Sequence, residues 1–301
     1  MDSGTSKNSR DSARGRDWQI HRASPVWDPA TGSTDAPTPN QWLDASDTTT
    51  IDKAGPLPIT NGATIVEWRT KSGTLRKYKT FGTSGPPTWD ANVVGSLGGV
   101  KCNHQMLSAD VLTGMRGLSG RTVVAAFKQI TNEHSATKGL GFTVTEPHVS
   151  GNANNPTTTV AASTGGFGGG ARRIQGEALT NNATLLADNV TVRPVADGEV
   201  FVVTTAVNYS AARQAAYANG CEAPQFNGTI VSSGTTNTTI DPYAMSVGGQ
   251  IEEVGGLGPN TGNGLCIAYI FEILDWFSLL TPDQLVGPHD YLCMKWGGGL
   301  M

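Results

Sequence analysis

Carboxylate pairs are the first chemistry to look for in this chain. Hydrolysis of a glycosidic bond needs two of them about 5 to 9.5 Å apart across a cleft. Glu272 and Asp275 are three residues apart, and Glu252 and Glu253 are adjacent. In a strand both spacings put the two carboxylates on opposite faces, so no hydrolase, and no enzyme of another kind, is expected. Five histidines (His21, His104, His134, His148 and His289) stand without a Gly-x-Ser-x-Gly or Cys-adjacent signature. Each reads as a surface or satisfied core residue. The cysteines Cys102, Cys221, Cys266 and Cys293 are scattered, with no Cys-x-x-Cys spacing, which argues against zinc. Cys266 and Cys293 lie in apolar runs and read as small core hydrophobes.

Asp44, Asp47 and Asp52 cluster near one turn. Calcium takes several such oxygens, but the same residues suit local bonds to turn backbone, and turn chemistry is the favoured reading. No metal or cofactor is expected. The glycine run at 165–170 lacks the Gly-Lys-Ser/Thr ending of a phosphate cradle. Sugar binding needs exposed aromatic rings beside polar hydrogen-bonders. Trp89, Phe167, Tyr209 and Tyr243 are the loop-side candidates, with Tyr209 and Tyr243 kept as possible glycan contacts. Trp89, in Pro86-Pro87-Thr88-Trp89, reads more simply as a core residue.

The elements that would position these residues follow from composition. The chain has 301 residues, 38 Gly, 36 Thr and only 15% charged residues, against roughly 25% in an average soluble domain. Such a chain is helix-poor and turn-rich and reads as all-β. A net charge of −4 gives no basic footprint for nucleic acid, and no apolar run reaches the 18 or so residues of a membrane span. The first 18 residues have no hydrophobic core segment, so no secretory signal is read there and cytoplasmic maturation is expected. Without secretion, disulfides are not expected. The Asn-x-Ser/Thr triplets at Asn182, Asn189, Asn208, Asn227 and Asn237 then read as chance matches.

Residues 1–37 form a polar arm. Lys7, Arg10, Arg14, Arg16 and Arg22 against Asp2, Asp11 and Asp17 give residues 1–22 a net charge of +2. Trp18, Ile20, Val26 and Trp27 are apolar anchors in this string. It reads either as a loose tail or as an arm that folds on a partner, and the second reading is preferred. From residue 38 onward the chain reads as one domain to 301. Strands are predicted at 41–43, 64–68, 123–127, 140–144, 184–193, 199–206, 214–217, 223–226 and 268–274. Residues 150–170 are rich in Gly, Asn and Thr and read as a loop or a poorly paired edge. Thr281-Pro282-Asp283-Gln284 is a capping box with Pro at the first helical position. Gly287-Pro288 should end that helix after about one turn, and Pro288 could start a second through Trp296.

Several stretches form a pattern together. They are Gln41-Trp42-Leu43-Asp44-Ala45-Ser46-Asp47-Thr48-Thr49-Thr50-Ile51, then Val66-Glu67-Trp68-Arg69-Thr70-Lys71-Ser72-Gly73 and Gly85-Pro86-Pro87-Thr88-Trp89. Further on come Tyr217-Ala218-Asn219-Gly220, Phe271-Glu272-Ile273-Leu274, Leu280-Thr281-Pro282-Asp283 and Tyr291-Leu292-Cys293-Met294-Lys295-Trp296-Gly297. This resembles the concanavalin A-like (laminin-G-like) jelly-roll domains of tailed-phage virion proteins, over residues 38–298. The sequence departs from that pattern at Pro288, at His104-Gln105-Met106-Leu107 and in the long glycine-rich stretch 150–170. The Glu-x-Asp-x-x-Glu string of the fold's glucanases is absent.

The resemblance implies a two-sheet antiparallel jelly-roll sandwich with a short C-terminal helix and an extended N-terminal arm. It implies a virion structural protein assembled in the host cytoplasm, either a capsid decoration or a tail-appendage subunit. Its partners would be major capsid or tail proteins and further copies of itself. Arg14, Arg16, Trp18 and Trp27 would dock the arm. The alternative is a lectin-like adhesin recognising a host-surface polysaccharide. Fold does not decide between them.

Overall fold

A computed structural model describes the chain between residues 27 and 297. Coverage is nearly continuous over 27–109, 119–130, 198–218 and 267–297, and reduced to short strand segments between 144 and 191 and between 228 and 263. In chain order the first strands are β1 (Gln41–Asp44), β2 (Ile51–Lys53), β3 (Ala63–Arg69), β4 (Lys77–Phe81), β5 (Thr88–Val94), β6 (Leu97–Asn103) and β7 (Met106–Ala109). The middle of the chain gives β8 (Gly120–Gln129), β9 (Val144–Thr145), β10 (His148–Val149), β11 (Thr158–Ser163), β12 (Arg173–Ala178) and β13 (Val190–Thr191). Then come β14 (Val200–Asn208), β15 (Arg213–Ala218), β16 (Gly228–Thr229), β17 (Ser246–Val247), β18 (Gln250–Glu253) and β19 (Pro259–Asn263). The long strand β20 (Ile267–Trp276) and the helix α1 (Pro282–Trp296) complete the order.

The all-β expectation holds, with one difference in kind. Instead of two separate sheets, one curled sheet runs β16-β15-β14-β8-β20-β6-β5-β3-β4-β7-β17-β9. Continuity comes from β3, whose first residues pair with β5 and whose later residues pair with β2 and β4. A register shift opposite β3 at Asp52/Lys53 accompanies this change of partners. Inside the curl lies the main core, with Trp68, Tyr78, Phe127, Phe201, Ile65 and Ile273 among its members.

A second core lies on the outer face of β8, β14 and β20, under α1. It holds Trp27, Trp42, Phe271, Leu274, Trp276, Leu285, Leu292 and Trp296. The buried strand expected at 268–274 is thus sandwiched between both cores, which is why nearly all of β20 is buried.

Thr281 caps α1 as its sequence predicts: its side chain accepts from the Gln284 N–H, and the Gln284 side chain accepts from the Thr281 N–H at 2.9 Å. The expected break at Gly287-Pro288 does not occur, and α1 runs 15 residues through Pro288. A proline there costs about 3 kcal/mol. Burial of Leu285, Leu292 and Trp296, at roughly 1.5–3 kcal/mol per large side chain, outweighs that cost. Residues 158–163, expected as loop or weakly paired edge, form β11, paired over six residues with β12 in a separate three-stranded sheet. The Thr158-Thr159-Val160 run supplies the β-branched residues that strands favour. The predicted strand at 223–226 lies outside the described residues, as do 140–143 and most of 184–193.

Candidate functional site

Three clusters of polar side chains are built on β20, and burial distinguishes them. The first surrounds Glu272, which is fully buried on the outer face. Its Oε1 accepts from Trp42 Nε1 at 2.7 Å and from the Tyr291 hydroxyl at 3.0 Å. Its Oε2 accepts from Lys295 Nζ at 2.6 Å and Trp296 Nε1 at 2.8 Å. Lys295 also meets Asp44 at 2.9 Å, and Lys71 joins Asp44 at 3.1 Å and Asp47 at 3.0 Å. Burial and then the Asp44 charge push the Glu272 carboxyl above its usual value, with Lys295 and Trp296 pulling the other way. Burial also opposes ionisation of Asp44, but Lys295, Ser46 and Lys71 outweigh it and hold its pKa below the ordinary value.

The second cluster faces the main core. Arg121 grips Asp275 with two bonds of 3.0 and 2.9 Å, Gln41 donates to Asp275 at 3.2 Å, and Tyr78 donates to Gln41. Glu272 and Asp275 therefore lie on opposite faces, as their spacing predicts, and each is enclosed by its own donors.

The third cluster is half-exposed. Across the outer face, Thr88 pairs with Lys101, Lys101 with Tyr269, and Tyr269 with Lys128. These four residues form one row over four adjacent strands, and none is fully buried. Tyr269 stacks on Phe271 (6.5 Å between centroids, 6° between planes), and Phe271 stacks on Trp296 (4.7 Å, 10°). Gly99 makes room for this stack, since a Cβ there would come within 2.8 Å of Phe271. The Tyr269 hydroxyl donates to Asp90 at 2.7 Å. Burial, then that bond and the Asp90 charge, push its pKa up to about 12, so the hydroxyl keeps its proton at neutral pH. Lys101 sits 5.9 Å from the Tyr269 ring centroid.

Arg14, Arg16, Trp18, Phe167, Tyr209 and Tyr243 are outside the described residues. Trp27, read as a partner-docking side chain, is instead packed inside this chain. Its ring lies 5.8 Å from both Trp276 and Tyr291, and its Nε1 donates to the Ala36 carbonyl at 2.9 Å. The cause lies at the far end of the chain: Gly287 leaves a hollow on α1, where a Cβ would stand 3.0 Å from Trp27 Cβ.

Trp89 enters the core and donates to the Ala45 carbonyl at 2.9 Å. The three aspartates do turn and ion-pair work: Asp44 accepts from Ser46, Asp47 caps the 48–50 turn through Thr49, and Asp52 pairs with Arg69 at 2.9 Å. Cys293 is buried as expected, and burial pushes its thiol up to about 12. The row around Tyr269 was not singled out from sequence. Only the register of four strands brings Thr88, Lys101, Tyr269 and Lys128 together, and Tyr269 alone carries no signal within an apolar run.

No family model matches the chain, and no curated protein sequence matches it. Solved structures do. An arabinofuranosidase complexed with arabinofuranosyl-alpha-1,2-xylobiose matches at 12% identity and a TM-score of 0.48, over 86% of this chain and 59% of that one. Domain 4 of AbnA, a GH43 extracellular arabinanase from Geobacillus stearothermophilus, in complex with arabinotriose, matches at 11% identity and a TM-score of 0.45. That match covers 83% of this chain and 98% of the domain. NanB sialidase from Streptococcus pneumoniae matches at 16% identity and a TM-score of 0.39, over 62% of this chain. The chain spans about a quarter of the NanB length, the shares being 27% and 26% in two structures. These structural neighbours are sugar-binding and glycan-acting proteins. The likeness is distant, and what each of them binds or cleaves is a property of that protein.

Proposed function

We propose that this chain is a glycan-binding module on a jelly-roll-like β sandwich, and that the sugar rests on the row around Tyr269. One observation carries the reading: a half-exposed tyrosine ends a three-ring stack and has hydrogen-bonding side chains from neighbouring strands on both sides. A sugar presents an apolar C–H face ringed by hydroxyls. An aromatic platform beside a few fixed polar groups is the surface that complements it. Lys101 and Lys128 stand one strand spacing, about 4.8 Å, on either side of Tyr269, within reach of the edges of a sugar ring lying on it. Asp90, bonded to the Tyr269 hydroxyl, supplies an acceptor, and Thr88 adds a hydroxyl one strand beyond Lys101.

The role is binding without bond cleavage. Glu272 and Asp275 point to opposite faces and are held by their own tryptophans, lysine and arginine, so neither is free to meet a substrate. The residues that carry the virion resemblance are occupied in the same way. Trp42, Tyr291, Lys295 and Trp296 all bond to Glu272 and fasten the ends of the domain together. That pattern supports the fold and leaves the biological setting to other surfaces.

The test is a glycan array followed by calorimetry on the full chain and on Tyr269→Ala. Binding should weaken at least tenfold, about 1.4 kcal/mol, while the fold is retained by circular dichroism. Equal binding by both proteins, or none by either, would sink the proposal.

A further inference from the structure

We infer that the Tyr269 row selects glycans carrying a carboxylate or sulfate, with Lys101 and Lys128 receiving the anion; this rests on the glycan-binding reading above. The two lysines are the cross-strand neighbours of Tyr269 on its two sides, one from β6 and one from β8. Two strand spacings separate their backbones, on the order of 10 Å, with the ring between them. A sugar lying on Tyr269 therefore has an ammonium within reach at either edge.

Among the described residues the lysines of this row have no ion pair, unlike Lys71, Lys77 and Lys295. Lys71 meets Asp44 and Asp47, Lys77 meets Glu67 at 3.2 Å, and Lys295 meets Asp44 and Glu272. Among the described residues, neither Lys101 nor Lys128 has a carboxylate within ion-pair distance. The carboxylate beside them is Asp90, and it already accepts the Tyr269 hydroxyl at 2.7 Å. Both lysines are half-buried along the sheet, and the Lys101 ammonium lies 5.9 Å from the Tyr269 ring centroid. An anionic ligand supplies both with a carboxylate or sulfate oxygen. Charge-assisted bonds to carboxylate or sulfate oxygens are about twice as strong as those to a hydroxyl.

The experiment measures binding of three probes of matched length to the full-length chain: an oligouronate, a sulfated galactan fragment and a neutral galactan fragment. Each is titrated into wild type, the double variant Lys101→Gln/Lys128→Gln, the rescue variant Lys101→Arg/Lys128→Arg and Tyr269→Ala. The expected result is at least a tenfold preference of wild type for an acidic probe over the neutral one. That preference should collapse towards unity in the Gln variant, return in the Arg variant, and shrink as salt rises. Whether the uronate or the sulfate binds more tightly identifies the anion.

If wild type binds neutral and acidic probes equally and the Gln variant changes nothing, the charge selection is overturned. Tyr269→Ala would then still report on the platform itself. If no probe binds wild type, the glycan reading and this inference fall together.

Discussion

Tyr269 and Glu272 stand three residues apart on one strand and face the same side of the sheet, yet they occupy opposite environments. Around Glu272 the helix closes the surface, and every oxygen of the carboxylate is met by two donors. Around Tyr269 the helix has ended, the ring is half-exposed and the neighbouring lysines have no ion pair among the described residues. A register irregularity between Ile270 and Glu272 separates the two regions, and it coincides with the change of partner from β6 to β1 along that edge of β20. The polar residues of this face sort by cover: those under α1 fasten the fold, and those of the Tyr269 row stay half-exposed.

Four experiments would break or sharpen this division. The largest effect is expected from Glu272→Ala, which takes the acceptor from two indole N–H groups and the Tyr291 hydroxyl and leaves Lys295 with Asp44 alone. Removing one partner of a buried charge network costs about 3–5 kcal/mol, read as a lower urea midpoint. A loss below about 1 kcal/mol would mean the covered region is not the fastener. Next is Trp27→Ala, expected to cost about 3 kcal/mol as a large-to-small change in a buried site. An unaffected melting curve would return Trp27 to the role of a partner-docking residue.

The third concerns His289 in α1, whose Nδ1 lies 3.3 Å from Thr204 Oγ1. Burial pushes its pKa down from 6.5 to about 3. The folded state therefore binds fewer protons than the unfolded chain between those values, and the stability from neutral His289 is complete above 6.5. It is lost as pH falls towards 3, with a slope of up to about 1.4 kcal/mol per pH unit. His289→Gln should flatten that part of the profile, and an unchanged slope would rule out His289 as its source. The smallest effect is expected from Tyr269→Ala on stability, about 1 kcal/mol or less by urea denaturation, since the ring is half-exposed. A loss as large as that of Glu272→Ala would show that both regions are structural.

Much of the fold was legible in the sequence, because strands announce themselves through β-branched runs and α1 through its cap. Thr281 and Gln284 act over three residues, within reach of local reasoning. The continuation of α1 through Pro288 was not legible, because the force that overrides the proline comes from Leu292 and Trp296 packing on a sheet. Trp27 was misread for a similar reason: its hollow is made by Gly287, 260 positions later. The candidate site was the least legible part, since cross-strand register assembles it from Thr88, Lys101, Lys128 and Tyr269 and no local spacing records that register.

The position of β20 has a bearing on how the molecule comes to exist. It lies in the middle of the sheet, bonded to β8, β6 and β1, yet it follows every other strand in chain order. During synthesis those three strands emerge well before the partner that joins them, and Gln41 waits for Asp275 across 234 residues. Pairing at such separation is slow and leaves apolar edges open meanwhile. The edges of β8, β6 and β1 that face β20 thus stay open in the growing chain until residues 267–276 have been made.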